Sequence, residues 1–304
     1  MSRTLGALLV LLAGVCWGTA GVLGKLVMNL GFSPLTVIAY RLSLGFLILM
    51  VVAIALKGTR VLSVSNRDLP LLVVAGVVGV SLGMLLYFWS VDLIGASLAV
   101  VLLYTAPIFT LILARPMLHE EMGGVKIASA LLVFVGCYLA VKGYDLAYLK
   151  INCFGVIVGL LSGLSYSTYF VVSKKVMSRG VPVLTVLLYS IGFGALATLI
   201  ATAVVGFHQS SFSAYSTFLI VLLAIIPTAL ANLLFVVGLN LTEAGKANVY
   251  STVEVVTAIA LAMTVLGEGL EALQALGCTI VVAGITLLYS SEALQRVKRG
   301  LFNK

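Results

Sequence analysis

One apolar stretch of the sequence carries a carboxylate near its middle. Residues 244–267 read AGKANVYSTVEVVTAIALAMTVLG, and at about 1.5 Å per helical residue they are long enough to cross a hydrocarbon core of about 30 Å. Glu254 lies near the centre of this stretch, where an ionised side chain is most unfavourable in lipid. Glu254 should therefore face protein or a water-filled cavity.

Polar and small residues accompany Glu254 at helical spacing. On one continuous helix Ala247, Tyr250, Ser251 and Ala258 fall on the face of Glu254, because residues three or four apart share a face. The other faces carry Val, Ile, Leu and Met, which lipid accepts. The spacing predicts that Tyr250 and Ser251 bind substrate together with Glu254.

A buried carboxylate of this kind has three chemical uses. Glu254 could bind the ammonium group of a substrate, carry a coupled proton, or pair with Lys25 or Arg41 to hold helices together. The sequence leaves these roles open.

Two basic residues also lie inside apolar stretches. Arg41 is about eight residues into the second stretch, and its guanidinium matches the geometry of a carboxylate; it could equally cap helix carbonyls or fix a neighbouring helix. Lys25 lies closer to the end of the first stretch, where its long side chain can reach the membrane surface. We expect a gating or charge-pairing role for both.

Four aromatic side chains are candidates for the wall of a cavity. Trp17 lies in the middle of its stretch, although membrane tryptophans usually lie at the interfaces. Tyr104 lies on the same side of its stretch as Pro107, and Tyr87 and Tyr166 could join it. Aromatic rings can surround an apolar or cationic substrate, or they can pack between helices. As a group they are predicted to bind substrate.

The composition identifies an integral membrane protein. Of the 304 residues, 62% are hydrophobic and only 9% are charged, which is too little charge for the surface of a water-soluble domain. The net charge is +8, but the basic residues lie between apolar runs rather than along one face, so nucleic-acid binding is not indicated.

The sequence contains no recognisable set of catalytic or metal-binding residues. His119 and His208 are isolated, and there is no GxxxxGK[ST] phosphate loop. The four cysteines are scattered and form no CxxC pair; they are Cys16, Cys137, Cys153 and Cys278. We therefore predict no enzyme activity, no metal site and no cofactor.

Hydropathy predicts an all-α membrane protein with ten transmembrane helices. The connections between them are short, so no soluble domain is expected. The approximate spans are 5–28, 34–56, 69–89, 95–117, 124–142, 153–173, 182–206, 216–239, 244–267 and 271–290.

The distribution of Lys and Arg predicts the orientation. With the N-terminus inside, fourteen of the 18 basic residues fall on cytoplasmic segments, whereas only Lys142 and Lys150 fall on outer loops; Lys25 and Arg41 lie within spans. Cytoplasmic segments carry the excess of Lys and Arg in membrane proteins. The sequence thus predicts a multi-pass protein of the cell membrane with both termini in the cytoplasm.

An internal repeat organises the chain. A shift of 148 residues places Pro34 on Pro182, Asp92 on Asn240 and Glu120 on Glu268. The repeat predicts a first five-helix unit at 1–148, a second at 149–290 and a basic cytoplasmic tail at 291–304. Because each unit has an odd number of spans, the second must be inverted, which is a construction of secondary transporters with a site at the interface of the repeats.

Symmetry-related polar residues should lie at helix ends. We expect Asp92 and Asn240 to be N-caps of the helices that follow them. Glu120 and Glu268 should cap adjacent helices, one at each side of the membrane.

These features resemble the drug/metabolite transporter superfamily, in its EamA-type branch. The motifs that carry the resemblance are WGTAGVLGK at 17–25, Arg41 within AYRLSLGFL, the Pro107-centred span 95–117 followed by HEE at 119–121, and span 244–267 ending in LGE at 266–268. The resemblance covers residues 5–290. The family commonly has Glu-Pro in the ninth helix, whereas this sequence has Glu254-Val255, so a hinge formed by prolines would be asymmetric.

The resemblance implies a function as well as a fold. Two inverted five-helix repeats would surround a central cavity, through which amino acids and other small metabolites are exported, or sometimes imported, without ATP. The implied partners are a small-molecule substrate and the lipid bilayer, with a coupled proton left open. A monomer is compatible with the sequence, which does not give the oligomeric state.

Three rival hypotheses remain at this point. The chain could import or export a cationic, amine-type compound held by Glu254, or it could be a non-transporting membrane subunit with a dry, packed centre. An intramembrane enzyme acting on lipid would need a clustered catalytic set, which the sequence does not show. The direction of transport does not follow from the fold.

Overall fold

The computed structural model describes residues 3–144, 152–209 and 211–302, and every long regular element in this part of the chain is a helix. A short 3-10 helix, Thr59–Leu62, follows the second helix. The twelve main helices are α1 Arg3–Met28, α2 Pro34–Lys57, α3 Leu69–Ile94, α4 Ala96–Leu103, α5 Ala106–Leu118, α6 Gly124–Ala140, α7 Cys153–Ser178, α8 Val183–Val205, α9 Ala214–Leu241, α10 Ala244–Ser251, α11 Val253–Leu266 and α12 Ala272–Phe302.

The helices have the length and composition of membrane spans. Within the described residues, nine stretches are long and apolar enough to cross a membrane, and a shorter apolar helix, Gly124–Ala140, lies at the predicted fifth span. The predicted all-α membrane class is confirmed. The last helix continues beyond its predicted end at residue 290 to Phe302, while Lys150 and Lys304 lie outside the described residues.

The bundle has two polar faces. We call the face where α1 begins the terminal face, and the face where α1 ends, at Met28, the distal face. At the distal face Lys25 binds Glu268 and Lys142 binds Glu271. At the terminal face Arg179 binds Asp68. These ion pairs lie at helix ends; the two at the distal face are well exposed, whereas Asp68 is largely buried.

The helix bounds recur at the 148-residue offset. Ala96–Leu103 falls on Ala244–Ser251, and the ends of α5 and α11, Leu118 and Leu266, also coincide. The residues that follow them both have left-handed backbone conformations, with φ of 56° at His119 and 69° at Gly267. These helix bounds therefore follow the offset found in the sequence.

A helix break separates α4 from α5 and another separates α10 from α11. Thr105 Oγ1 donates to the carbonyl of Leu102 at 2.5 Å, and Thr252 Oγ1 donates to the carbonyl of Val249 at 2.6 Å. Hydroxyls bonded to the preceding turn bend helices. Pro107 follows the first break only. Proline thus accompanies one break and not the other, as expected, although a threonine lies at each break.

Helices of the N-terminal half pack between helices of the C-terminal half, and the reverse. Helix α1 packs on α9 and α11, while α7 packs on α3, α4 and α5. Glycines permit both approaches: a Cβ on Gly14 would lie 2.6 Å from the carbonyl oxygen of Ser251, and a Cβ on Gly163 would lie 2.7 Å from Thr105 Oγ1. Small residues allow such close contact of membrane helices. Each break is thus covered by a glycine of the opposite half.

The start of α10 is capped from the other half of the chain. Glu120 accepts hydrogen bonds from the backbone N–H groups of Ala244, at 2.7 Å, and Gly245, at 3.2 Å. The first N–H groups of a helix lack partners within it, so this carboxylate satisfies two of them. The predicted capping role of Glu120 is confirmed, whereas Glu268 is bound by Lys25.

The predicted N-caps Asp92 and Asn240 are wrong. Both residues lie within helices, in α3 and α9, because each helix runs further than its hydropathy predicts. The N-cap positions of α4 and α10 are instead Gly95 and Glu243.

Replacing Gly163 by alanine should destabilise the protein by about 1–3 kcal/mol, because the added methyl group overpacks the contact with Thr105 and the Leu102 carbonyl. Thermal unfolding of the purified protein in detergent measures this. Gly21→Ala is the matched control, since nothing lies within 4 Å of a Cβ at Gly21; it should melt at or above the wild-type temperature. Equal melting of the two variants would contradict the close helix approach.

Candidate functional site

A cavity of about 420 Å³ lies between the two halves. It runs from the helix breaks, at Tyr104 and Glu254, to the distal face, where Met28 and Pro34 line it. Its wall is mostly apolar and is built from α1, α2, α3, α4, α7, α8, α9 and α11. Cavities of this size and character are typical of small-molecule sites.

Glu254 lies at the inner end of the cavity, and the break in the helix positions it there. It is the second residue of α11, and the N-terminal turn of a helix carries a partial positive charge that favours a carboxylate. The hydroxyl of Tyr104, from the break in the other half, donates to Glu254 Oε1 at 3.0 Å. A hydrogen bond between Tyr104 and Glu254 thus connects the two helix breaks inside the cavity.

Arg41 also lines the cavity, on α2. Its Nε is buried and has no hydrogen-bond partner among the described residues. Across the same residues Arg41 and Glu254 do not approach within the 4.0 Å of an ion pair. The cavity therefore presents two opposite charges that do not neutralise each other by contact.

Lys25 binds Glu268 and not Glu254, the partner that the sequence analysis considered for it. Its Nζ lies 2.6 Å from Glu268 Oε1, and each side chain is about half exposed, at 51% and 49%. The pairing of Lys25 with Glu254 does not form, because Lys25 lies at the distal face while Glu254 lies at the helix break. Lys25 does have the charge-pairing contact that its position predicted.

The other predicted aromatic residues line the same cavity. Trp17, Tyr87 and Tyr166 contribute to its wall together with Tyr104. Their rings are held by neighbouring rings, with centroid distances of 5.1 Å for Trp17–Phe235, 5.2 Å for Tyr87–Phe88 and 5.1 Å for Tyr166–Phe170. Packing of this kind fixes ring orientation. Five of the seven residues predicted to bind substrate therefore share one cavity, and their binding role stays a prediction.

Tyr250 and Ser251 lie outside the cavity lining. Both are buried in α10, with 0% and 3% of their surface exposed, and Ser251 Oγ donates to the carbonyl of Asn248. The spacing argument assumed one continuous helix, but the break at Thr252 separates the face of α10 from the face of α11. The expected shared face with Glu254 is therefore not formed.

Sequence reasoning missed a polar pair in the cavity wall. Asn232 and Tyr169 both line the cavity, and the Tyr169 hydroxyl donates to Asn232 Oδ1 at 3.2 Å. Asn232 Nδ2 donates in turn to the carbonyl of Thr228 at 2.8 Å. An asparagine in the middle of the predicted span 216–239 was a signal of the same kind as Glu254.

Among the described residues, no three His, Cys, Asp or Glu side chains converge in a way that could hold a metal ion. The chemistry available in the cavity is therefore that of one carboxylate, one guanidinium, hydroxyl and amide groups, and aromatic faces.

Comparison with known proteins gives a consistent result along the chain. The model of the EamA-like transporter family matches residues 4–142 and again residues 153–290. An uncharacterized transporter of Clostridium kluyveri is 26% identical over 293 residues, covering 94% of each chain. A probable terminal-alkyne amino-acid exporter of Streptantibioticus cattleyicolor is 27% identical over 299 residues, covering 95% of this chain and 94% of that protein.

A solved crystal structure has the same fold. It superposes with a TM-score of 0.81 at 20% sequence identity, covering 97% of this chain and 99% of the other.

Cysteine labelling of the reconstituted protein tests the position of the cavity. In a background without the four native cysteines, Ala258→Cys should react with a charged, water-soluble thiol reagent, because Ala258 lines the cavity. Ser251→Cys should be protected, because Ser251 is buried in α10. A non-transporting subunit with a dry centre would protect both positions, and equal labelling of the two would contradict the cavity boundary.

Proposed function

Because the chain belongs to the EamA-like transporter family, we propose that it is a secondary transporter that exports amino acids or related small metabolites by alternating access. The observation that carries this proposal is the cavity that ends at Glu254, between two helix breaks. Its volume is that of a small-molecule site. The family and the names of the relatives indicate a multi-pass membrane transporter rather than an enzyme.

The architecture that we propose is ten transmembrane helices in two inverted repeats, 1–148 and 149–290, followed by a basic tail at 291–304. Two features support it: the family model matches the chain twice, and the helix bounds recur at the 148-residue offset. The excess of Lys and Arg on the terminal face supports a cytoplasmic location for that face and for both termini. Gly124–Ala140 supplies the span that is shorter than the rest.

Amino acids are the substrates that we favour. One relative is named a probable terminal-alkyne amino-acid exporter, and the cavity combines charged groups with an apolar wall. In this proposal Glu254 contacts the substrate, and the aromatic residues Trp17, Tyr87, Tyr104 and Tyr166 form the wall. An amine-type substrate is the second candidate, because a carboxylate among aromatic rings also suits a lone cation.

Alternating access requires the terminal face to open, and a polar network closes it. Lys126 binds Glu243, Lys246 Nζ lies 2.8 Å from Glu243 Oε1, and Glu120 caps α10. The cavity reaches the distal face, so with the terminal face in the cytoplasm, as we propose, this arrangement corresponds to an outward-facing state. The breaks at Thr105 and Thr252 allow each half-helix to move separately, as discontinuous helices do in transporters.

The central carboxylate of this network stays ionised at physiological pH. Burial raises the pKa of Glu243, but hydrogen bonds from Lys126 and Lys246 lower it more, so its pKa lies below the ordinary value of 4.5. A lowered pKa means that the stabilisation is fully present above the ordinary value and is lost as the pH falls through the lowered one. The closure should therefore be insensitive to pH near neutrality.

Neutralising Glu254 tests the proposed function. In proteoliposomes, counterflow of amino acids, amines and nucleosides should reveal one transported class, and Glu254→Gln should reduce that flux about tenfold or more, because a hydrogen bond to a charged group contributes about 1.5–3 kcal/mol. Repeating the measurement with a pH gradient tests proton coupling. Glu271→Gln removes a carboxylate from the distal face, outside the cavity, and should keep the flux. Wild-type flux in Glu254→Gln would remove Glu254 from the site.

Breaking the network should open the terminal face. Glu243→Gln removes the negative charge that pairs with Lys126 and Lys246. If the terminal face opens as a result, the thiol of the reporter Ser251→Cys should be labelled several-fold faster. Glu121→Gln is the control, because it removes one charge from the same face while its backbone carbonyl still accepts from Lys126. If both backgrounds label at the same slow rate, the network does not hold the face closed.

A further inference from the structure

We propose that the cavity recognises an α-amino-acid zwitterion at two points, with Arg41 binding the substrate carboxylate, Glu254 binding its ammonium group, and an apolar wall receiving its side chain. This inference rests on the proposed function and adds the chemical groups that the substrate must carry. It also assigns to Arg41 a role in specificity rather than in gating or charge pairing.

The first step of the argument is the separation of the two charges. Arg41 and Glu254 line one mostly apolar cavity and form no ion pair with each other. Each of the two side chains is partly buried, and a charge that has lost part of its water is stabilised by a partner of opposite charge. Because the cavity holds one charge of each sign, the ligand that best compensates both is one that also carries both.

The second step is the unpaired edge of Arg41. Its Nε is buried without a hydrogen-bond partner among the described residues. The guanidinium group binds a carboxylate through two parallel N–H donors in a planar arrangement, and Nε belongs to one such edge. A buried donor that lacks a partner is unfavourable, and a substrate carboxylate would supply that partner.

The third step concerns Glu254. Tyr104 donates to Oε1, and this bond uses a minor part of the acceptor capacity of an ionised carboxylate, which has about four lone-pair sites. An ammonium group carries three donors and no acceptor, so it complements the remaining sites.

The fourth step fixes the orientation of the substrate. Arg41 is the eighth residue of α2, counted from Pro34 at the distal face, whereas Glu254 is the second residue of α11, which ends at Leu266 on that face. At about 1.5 Å per residue, Arg41 lies about 10 Å and Glu254 about 18 Å along their helices from those ends. The ammonium group would therefore lie deeper, and the carboxylate nearer the distal face.

The fifth step concerns the substrate side chain. The rest of the wall is largely apolar and includes Ile38, Met84, Phe88, Val100 and Leu103. A second charge on the substrate would be buried there without a partner. The polar pair Asn232 and Tyr169 is already hydrogen-bonded internally. The cavity thus fits an aliphatic or aromatic side chain.

Three probes of nearly the same shape separate the two recognition points. Leucine carries both charges, leucinamide lacks the carboxylate, and 4-methylpentanoate lacks the ammonium group; phenylalanine and its two analogues form a second set. Binding to the purified full-length protein is measured as ligand-induced thermal stabilisation. The wild type should require at least about tenfold less of the amino acid than of either analogue, which corresponds to about 1.4 kcal/mol for each charged contact.

Variants at the two charges should change the preference in opposite directions. Arg41→Gln should bind leucinamide at least as well as leucine, and Glu254→Gln should bind 4-methylpentanoate at least as well as leucine. Arg41→Lys keeps the charge without the planar donor edge, so it should still prefer leucine, with weaker binding. Lys142→Gln removes a cation at the distal face and should leave all preferences unchanged. Melting without ligand shows which variants are folded.

The outcomes separate this inference from the proposed function. If the wild type binds leucinamide or 4-methylpentanoate as tightly as leucine, and the phenylalanine set agrees, two-point recognition is wrong while transport through the cavity stands. The same conclusion follows if no probe binds but another compound shows flux that depends on Glu254. If flux is measured but none of it depends on Glu254, two-point recognition fails, whereas the absence of flux for every class of compound would contradict the proposed function. Should Arg41→Gln not fold, the wild-type ratios and Arg41→Lys decide the role of Arg41.

Discussion

The structure depends on how the backbone is satisfied where two membrane helices are interrupted. In hydrocarbon an unbonded N–H or C=O group is strongly unfavourable, yet α4–α5 and α10–α11 both break near the middle of the bundle. The hydroxyls of Thr105 and Thr252 bond to carbonyls of the preceding turns, and glycines of α1 and α7 cover both breaks. These contacts allow a cavity to exist at this depth.

The breaks also explain why charged side chains are tolerated here. Glu254 lies in the first turn of α11 and accepts from Tyr104, which stands at the other break. A helix start and a phenol together replace part of the water that a carboxylate loses on burial. Arg41 has no such protein partner at Nε. Glu254 has a protein hydrogen-bond donor, whereas Arg41 Nε has no protein acceptor among the described residues. This difference favours a ligand-binding role for the two charges over a structural ion pair.

The sequence predicted the helices well and the fine geometry of the site less well. Bilayer thickness fixes the length of apolar runs, so the spans and the carboxylate at Glu254 could be read directly. The break at Thr252 follows from a local hydroxyl bond that hydropathy does not register, and it moved Tyr250 and Ser251 out of the cavity. The pairing of Lys25 with Glu268 joins residues 243 positions apart, a distance that periodicity within one helix does not span.

The packing of α1 has a consequence for biosynthesis. Its glycine-bearing face, with Gly14 and Gly18, contacts α10 and α11, which are among the last segments to leave the ribosome. During translation this face must remain against lipid, or against the insertion machinery, until the second half has entered the membrane. Helix α7 meets its partners α3, α4 and α5 at once, because they have already been synthesised. The nascent chain should therefore begin to assemble around α7, and α1 should gain its packing partners only after α9, α10 and α11 have entered the membrane.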